Sequence, residues 1–418
     1  MPIEKHRKLL VHNPSVTEAV LCKKLSIPLA TCTRDSLIDI YLSRIREGGV
    51  VNGAGGSGSG KSRGSAATRK PVAKKVASGR AAGGGCKAES KQQMLERMRA
   101  SAEAMCKPKS SETISIDGCS FKLIKELGAG ADAIVFSGEC VAGKHKGLAV
   151  VLKQQPRHKD TRYQITTERD VLTRLSRLGN KLLYMQEPLA YGCHKGESYV
   201  LVTGLLGADL LKLGGAEGTH STKNVLVLAH QALLLFEHLH AANFLHRDVK
   251  PENLVLGCAG TAGARKLHLI DFGTAESLVD RNGVRRTAAQ AVEGSVPYMA
   301  VTVHQKQPLG KRDDVESLVW TLLRLCLGKL PWEHGKVSPT GIVQHKLCVS
   351  TQGVKSDPTC DKLPPYMARC FDAMLAHVRA LDTPEGEPDY AMLRKCVETA
   401  WKSAAFSPTS LAKADLAY

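Results

Sequence analysis

Apolar and polar positions change rhythm twice along the 418-residue chain. Near the start, Ser15-Val16-Thr17-Glu18 has the pattern of a capping box, Leu21 and Leu25 follow at helical spacing, and Pro28 ends the run. Thr33-Arg34-Asp35-Ser36 opens a second helix, with Leu37, Ile38, Tyr41, Leu42 and Ile45 on one face and Arg34, Asp39, Arg44 and Arg46 on the other. Periodicity then lapses. Residues 48–88 are rich in Gly, Ser, Ala, Lys and Arg and contain neither Asp nor Glu, so they cannot bury enough apolar surface to offset the entropy of ordering. A polar helix with a thin stripe of Met94, Leu95 and Met98 is expected over residues 89–104.

From Ile114 the pattern becomes that of strands. Phe121-Lys122-Leu123-Ile124, Ala133-Ile134-Val135-Phe136 and Leu148-Ala149-Val150-Val151-Leu152 are short, apolar and separated by Gly-containing turns, as in a β-meander. A helix over 165–178 and a further strand at Tyr199-Val200-Leu201-Val202 follow, and past Gly207 the chain turns mainly helical. The longest apolar run, residues 224–245, is interrupted by His230, Gln231, Glu237, His238 and His240, which a bilayer core would penalise. It predicts a buried helix, and no membrane partner is expected. Strands first and helices later predict an α+β arrangement in two lobes, a small β-rich N-lobe and a larger helical C-lobe. The expected domains are a small helical module at 1–47, a basic disordered linker with a short helix at 48–112, the two-lobed domain at 113–402 and a flexible C-terminal tail at 403–418.

Composition changes this picture at two points. Thirteen cysteines without a Cys-x-x-Cys pair are expected to be scattered thiols in a reducing compartment, with no structural zinc. Glu4, Lys5, Arg7 and Lys8 interrupt any apolar core of a cleavable secretory signal. The net charge of +18 is unevenly placed, with about +12 of it before residue 113. A basic arm ahead of a nearly balanced domain suits a polyanion such as nucleic acid or a chromatin surface through residues 1–88, and equally a solvated linker. Arg69-Lys70-Pro71-Val72-Ala73-Lys74-Lys75 would serve nuclear import or backbone contact, which makes a nuclear or cytoplasmic location the expectation. The helical pair in 1–47 resembles SAP or LEM-type modules, with a generic helical dock as the alternative. Gly55-Gly56-Ser57-Gly58-Ser59-Gly60-Lys61-Ser62 satisfies the Walker A pattern, but its flanks carry neither the strand nor the helix such a loop needs, so it reads as accidental.

The chemistry gathers around His246-Arg247-Asp248-Val249-Lys250-Pro251-Glu252-Asn253 and the downstream Leu269-Ile270-Asp271-Phe272-Gly273. A carboxylate, an ammonium, an amide and a second carboxylate on two adjoining loops form the set that phosphoryl transfer from a metal-nucleotide needs. These stretches resemble the catalytic loop and metal-binding segment of protein kinases. The resemblance implies that Asp248 orients or accepts the proton of an attacking hydroxyl and that Lys250 neutralises charge on the transferred phosphoryl group. Asn253 and Asp271 would ligate Mg²⁺, so ATP and Mg²⁺ are the expected cofactors. Lysine two positions after the aspartate is the form seen in serine/threonine-specific kinases, which implies protein substrates with Ser or Thr acceptors.

Leu127-Gly128-Ala129-Gly130-Ala131-Asp132-Ala133-Ile134-Val135 is similar to the kinase glycine-rich loop, with Ala133 in place of the third glycine. Leu127, Gly128, Gly130 and Val135 would cover the nucleotide. Lys153, ending Val150-Val151-Leu152-Lys153, would hold the α- and β-phosphates, with Glu168 as its partner. The alternative, Asp170, would point about 200° away around the same helix. Thr203 aligns with the gatekeeper position, where a small side chain predicts an open pocket behind the adenine, and Leu205 with the hinge.

Further motifs narrow the resemblance to the casein kinase 1 superfamily, with similarity to tau-tubulin and vaccinia-related kinases. They are Leu205-Leu206-Gly207-Ala208-Asp209-Leu210, Glu293-Gly294-Ser295-Val296-Pro297-Tyr298-Met299-Ala300, Lys311-Arg312-Asp313-Asp314-Val315-Glu316-Ser317-Leu318, Leu330-Pro331-Trp332 and Pro388-Asp389-Tyr390. By this resemblance Asp314 hydrogen-bonds the catalytic-loop backbone from a buried helix. Pro297 departs from the family, whose basic residue there helps bind acidic or prephosphorylated substrates. Lys311 and Arg312 remain open as part of an anion site or as solvated surface. Thr287, after Arg285-Arg286, would be a phosphosite read by Arg247, although the superfamily is usually active without one. The expectation is a monomeric serine/threonine protein kinase. The alternatives are a pseudokinase scaffold or a chromatin- or DNA-binding protein acting through the arm.

Overall fold

The N-terminal lobe is an antiparallel sheet of β1 (Thr113–Ile116), β2 (Cys119–Ala129), β3 (Ile134–Ala142), β4 (Ala149–Pro156), β5 (Ala190–His194) and β6 (Ser198–Gly204), in the order β1-β2-β3-β4-β6-β5. The computed structural model describes residues 112–407, apart from 131–132, 158–163, 179–185, 262, 281 and 286–292, together with 410, 411, 414 and 416. The module expected in 1–47, the linker helix and the Walker-type stretch lie outside the described residues. Period-two alternation puts Phe121 and Leu123 of β2, Ile134, Phe136 and Cys140 of β3, Val150 and Leu152 of β4, and Val200 and Val202 of β6 into one buried cluster. The strands extend past their apolar cores, because each ladder continues through polar residues such as Ser137, Glu139, Gln154 and Gln155. Helix α1 (Gln164–Arg177) buries Ile165, Val171, Leu172 and Leu175, with Glu168 as the one charged member of that face.

The C-terminal lobe is built on α2 (Thr222–Ala241), α3 (Lys311–Leu327), α4 (Pro339–Gln352), α5 (Pro365–Ala380) and α6 (Tyr390–Ser403). Ser221 caps α2 by accepting from the Asn224 amide at 3.2 Å, and the apolar run it opens is buried on most sides. Among the described residues, no helix is long and apolar enough to cross a membrane. Helices α2 and α5 each pack against both α3 and α6, which leaves α3 at the centre with Val315, Leu318, Val319, Trp320, Leu322 and Leu323 fully buried. Among the described residues past Ser403, four are packed against the lobe, where a free tail was expected. Phe406 packs edge-on against Tyr366 at 6.2 Å, and Leu411, Ala414 and Leu416 join the C-lobe core, because these apolar side chains have a surface to bury against.

Two pairs of very short strands, absent from the sequence expectation, set the loops between the lobes. β7 (Phe244–Leu245) pairs with β10 (Glu276–Ser277), and β8 (Leu254–Leu256) with β9 (Leu267–Leu269). Residues 246–253 and 270–275 are thereby pinned at both ends and lie side by side.

Candidate active site

Catalytic-loop geometry starts from α3. The buried Asp314 carboxylate accepts from the His246 amide at 2.7 Å and the Arg247 amide at 2.9 Å. His240 on α2 adds a third bond at 2.9 Å and is itself hydrogen-bonded to Tyr390 of α6. Burial opposes the Asp314 charge, but the His240 bond and the loop amides hold its carboxyl below the usual range. These bonds hold Arg247 at a φ of +71°, a left-handed conformation that a non-glycine residue adopts only when its surroundings determine it.

Below that anchor the predicted residues converge. Lys250 Nζ lies 2.6 Å from Asp248 Oδ2 and 3.2 Å from Ser295 Oγ. Asn253 Nδ2 donates to the Asp248 carbonyl at 2.8 Å and to Asp248 Oδ2 at 3.3 Å, which leaves its carbonyl oxygen for another partner. Asp248 Oδ1 has none. Among the described residues it is the only buried side-chain oxygen without a hydrogen bond. A Cβ at Gly294 would stand 3.5 Å from this oxygen and only 2.5 Å from the Arg247 carbonyl, and Gly294 has a φ of +105°. Glycine there keeps open the space beside Asp248.

The second group forms where the lobes meet. Lys153 Nζ contacts Glu168 Oε2 at 2.7 Å and Asp271 Oδ1 at 2.6 Å. Burial works against the ammonium, but the two carboxylates outweigh it and hold Lys153 above its usual range. Lys153 in turn holds Asp271 down to about 2. The Asp271 side chain stays 43% exposed, so this permanently charged carboxylate remains reachable by a cation. Its φ of +62° aims the following Phe272 into the core, where the ring lies 5.1 Å from His246. His246 closes the link between the two loops by donating from Nε2 to the Ile270 carbonyl at 3.0 Å, while Thr274 Oγ1 donates to the His246 carbonyl at 3.1 Å. The rejected alternative, Asp170, is exposed and pairs with Arg169.

Sheet register positions the residues expected to face a nucleotide. Gly128, Val135, Lys153 and Leu201 stand opposite one another in a row across β2, β3, β4 and β6. Gly130 donates to the Ala133 carbonyl at 2.8 Å, so the turn closes with alanine in the third position. No atom lies within 4 Å of where a Cβ would stand on Gly128, and Leu127 beside it is 48% exposed. Thr203 is buried opposite Val151, and the Leu205 amide donates to the Ala149 carbonyl at 3.0 Å.

Several cations expected to be free are engaged. Lys311 is buried and contacts both Glu387 oxygens, at 2.9 and 2.7 Å, and Arg312 donates to the Leu381 carbonyl, so they are neither an open anion site nor solvated surface. Burial is what the spacing did not show, since these residues open a helix that is enclosed from its first turn. Arg285 reaches the same Glu387 at 2.5 Å. Arg247, the expected phosphate reader, is held by Glu276 and, at 2.7 Å, by Glu293. Thr287 lies outside the described residues. Glu276 and Glu293 were missed in the sequence, where nothing marks which distant carboxylate meets a buried arginine.

A family model described as "Protein kinase domain" matches residues 121–380. The chain belongs to the protein kinase family. This kinase is 29% identical to casein kinase I homolog 1 of Saccharomyces cerevisiae, over 68% of its own length and 51% of that protein's. It is 25% identical to casein kinase I homolog 2 of Schizosaccharomyces pombe, over 67% of its own length and 62% of the relative's. It therefore spans little more than half the length of these curated relatives. A solved chain, "Structure of vaccinia related kinase 3", shares the fold at a TM-score of 0.60 and 20% identity, covering 77% of this kinase and 99% of that chain.

Proposed function

We propose that this chain is an ATP- and Mg²⁺-dependent serine/threonine protein kinase of the casein kinase 1 type. The observation that carries the reading is the unpaired, buried Asp248 Oδ1 beside the gap left by Gly294, an acceptor that lacks only a hydroxyl. Asp248 takes the proton of a Ser or Thr hydroxyl seated there. Lys250, 2.6 Å away, holds negative charge that develops next to it, and Asn253 fixes the carboxylate through its amide nitrogen.

The residues fit a magnesium nucleotide. Asp271, charged and reachable, and the unused carbonyl oxygen of Asn253 are hard oxygen donors suited to Mg²⁺, while Lys153 and the open space over Gly128 suit phosphate oxygens. When bound, the magnesium nucleotide supplies the phosphoryl group and offsets its charge. Glu168 keeps Lys153 in place between the lobes.

Incubating the purified chain with labelled ATP, Mg²⁺ and casein or a basic protein, beside an Asp271→Asn control, tests the reading. Phosphate incorporation above the control is expected, and its absence would instead favour a scaffold without catalysis. Polyanion binding through residues 1–88 and a nuclear location belong to the same proposal. They predict salt-dependent DNA binding that is lost on deleting the arm, and equal binding without it would refute them.

A further inference from the structure

The first turn of α1 is held by contacts that the pairing of Lys153 with Glu168 does not by itself require. Lys153 and Gln155 stand two residues apart on β4, so both side chains leave the same face of the sheet, and Gln155 is buried. Gln155 Oε1 accepts from the Ile165 amide at 3.2 Å. That amide belongs to the first turn of α1, where backbone N–H groups have no partner within the helix. One turn further along, Glu168 reaches Lys153 at 2.7 Å. Strand and helix are thus joined by two polar links, two residues apart on β4 and three apart on α1. A third link comes from β5, where the Tyr191 hydroxyl lies 3.0 Å from Thr166 Oγ1 and Arg169 sits 4.5 Å over the Tyr191 ring. The same turn borders the Asp271 loop: a Cβ on Gly273 would stand 3.1 Å from Gln164 Oε1 and 3.4 Å from Asp271 Oδ1.

We propose that Gln155 and Tyr191 are positioning residues, a polar clamp on the first turn of α1 that keeps Glu168 against Lys153 and so leaves Asp271 open to a magnesium nucleotide. The inference rests on the protein kinase reading and deepens it. Its physical basis is competition for one ammonium. Lys153 Nζ is shared between Glu168 Oε2 and Asp271 Oδ1, and a buried ammonium keeps whichever carboxylate remains when the other is withdrawn. A single link between strand and helix would let α1 turn about it, whereas several links fix both its position and its direction. Without Gln155 the Ile165 amide loses its acceptor, and α1 is free to swing Glu168 off Lys153. Lys153 then turns wholly to Asp271, and the carboxylate charge that would hold a cation is occupied by the ammonium. A carboxylate in place of the Gln155 amide would serve the clamp as well, because the acceptor faces the positive end of a helix. Methionine would fill the same space without an oxygen.

The test reads nucleotide binding separately from turnover. Calorimetry with a non-hydrolysable ATP analogue, with and without Mg²⁺, is run on the full chain, Gln155→Met, Gln155→Glu and Tyr191→Phe. Gln155→Met is expected to raise Kd for the magnesium nucleotide about five- to tenfold, against less than about twofold when Mg²⁺ is omitted. Gln155→Glu is expected to stay within about twofold of the parent, and Tyr191→Phe, which removes one hydroxyl and keeps the ring under Arg169, to raise Kd about two- to threefold. An unchanged Kd in either Gln155→Met or Tyr191→Phe overturns the clamp, and if Gln155→Met does not fold, Tyr191→Phe decides alone. Equal weakening in Gln155→Met and Gln155→Glu, or a loss that is the same with and without Mg²⁺, also overturns it. If the parent binds the magnesium nucleotide but incorporates no phosphate above the Asp271→Asn control, the kinase reading fails and the clamp is still decided by the binding constants.

Discussion

Replacing Asp314 with asparagine isolates what the central helix contributes to the proposed catalysis. The carboxylate serves three donors: Oδ2 accepts from the His246 amide and from His240, and Oδ1 accepts from the Arg247 amide. Asparagine keeps one acceptor and puts an NH₂ in place of the other, so a buried donor faces a donor. If the amide oxygen takes the Oδ2 position, the Arg247 N–H is left unpaired, at a cost of about 1–3 kcal/mol. Loss of charge assistance in the two remaining bonds adds about 1 kcal/mol, for a total of about 3 kcal/mol. For a domain of this size that lowers Tm by about 6–10 °C. The same change frees Arg247 from its left-handed conformation and loosens Asp248 next to it. A displacement on the order of 1 Å there lowers kcat by about ten- to a hundredfold. The Lys153–Glu168 pair is untouched, so KM for ATP should change little. Thermal melting and steady-state kinetics of Asp314→Asn measure both effects. A Tm within about 1 °C of the parent with unchanged kcat would show that Asp314 does not hold the loop.

Burial pushes Lys346 down to about 7, with Glu316 and Glu333 opposing, Arg379 reinforcing and His304, itself pushed down to about 4 by burial, beside it. Between about pH 7 and the ordinary lysine range the unfolded chain holds a proton that the folded chain has released, so this group's contribution to stability rises with pH across that window. The Tm gap between the protein and Lys346→Met should widen in the protein's favour from about pH 7 to about pH 10, and a constant gap would refute the shift. Glu387→Gln keeps an acceptor for Lys311 but removes the charge it shares with Arg285, and should raise activity on acidic relative to neutral peptides by about two- to fivefold; an unchanged ratio counts against the pairing. Thr203→Met should leave ATP turnover largely intact while weakening inhibitors that reach behind the adenine, as measured by their inhibition constants, and equal inhibition would refute an open pocket.

Much of the fold was legible because its signals are local. The apolar run at 224–245, too interrupted for a membrane, announced a buried helix, which ends at Ala241 because Phe244 and Leu245 leave it to pair with Glu276 and Ser277, and the strand cores at 121–124, 133–136, 148–152 and 199–202 each fall on a strand observed in the sheet. Strand β5 was not legible, since Ala190-Tyr191-Gly192-Cys193-His194 has no alternation of its own and is a strand only because β6 offers it a ladder. The strands that clamp the catalytic loop are two or three residues long, shorter than any period can reveal. Leu411, Ala414 and Leu416 were misjudged as tail because an apolar residue shows its burial only when its partner surface is present.

The sequence by itself determined which residues the proposed reaction would use, because Asp248, Lys250 and Asn253 sit on one loop at spacings that chain geometry carries directly into space. It also supplied Lys153, Glu168 and Asp271 as separate charges. Only the tertiary structure decided how these are used. It joined Lys153 to carboxylates from a helix and a distant loop, hung the catalytic loop on Asp314, and closed Arg247, Lys311 and Arg285 with glutamates. The physical reason is that a charge's role depends on what lies within a few ångströms of it and on how much water remains, and neither quantity is a property of spacing along the chain.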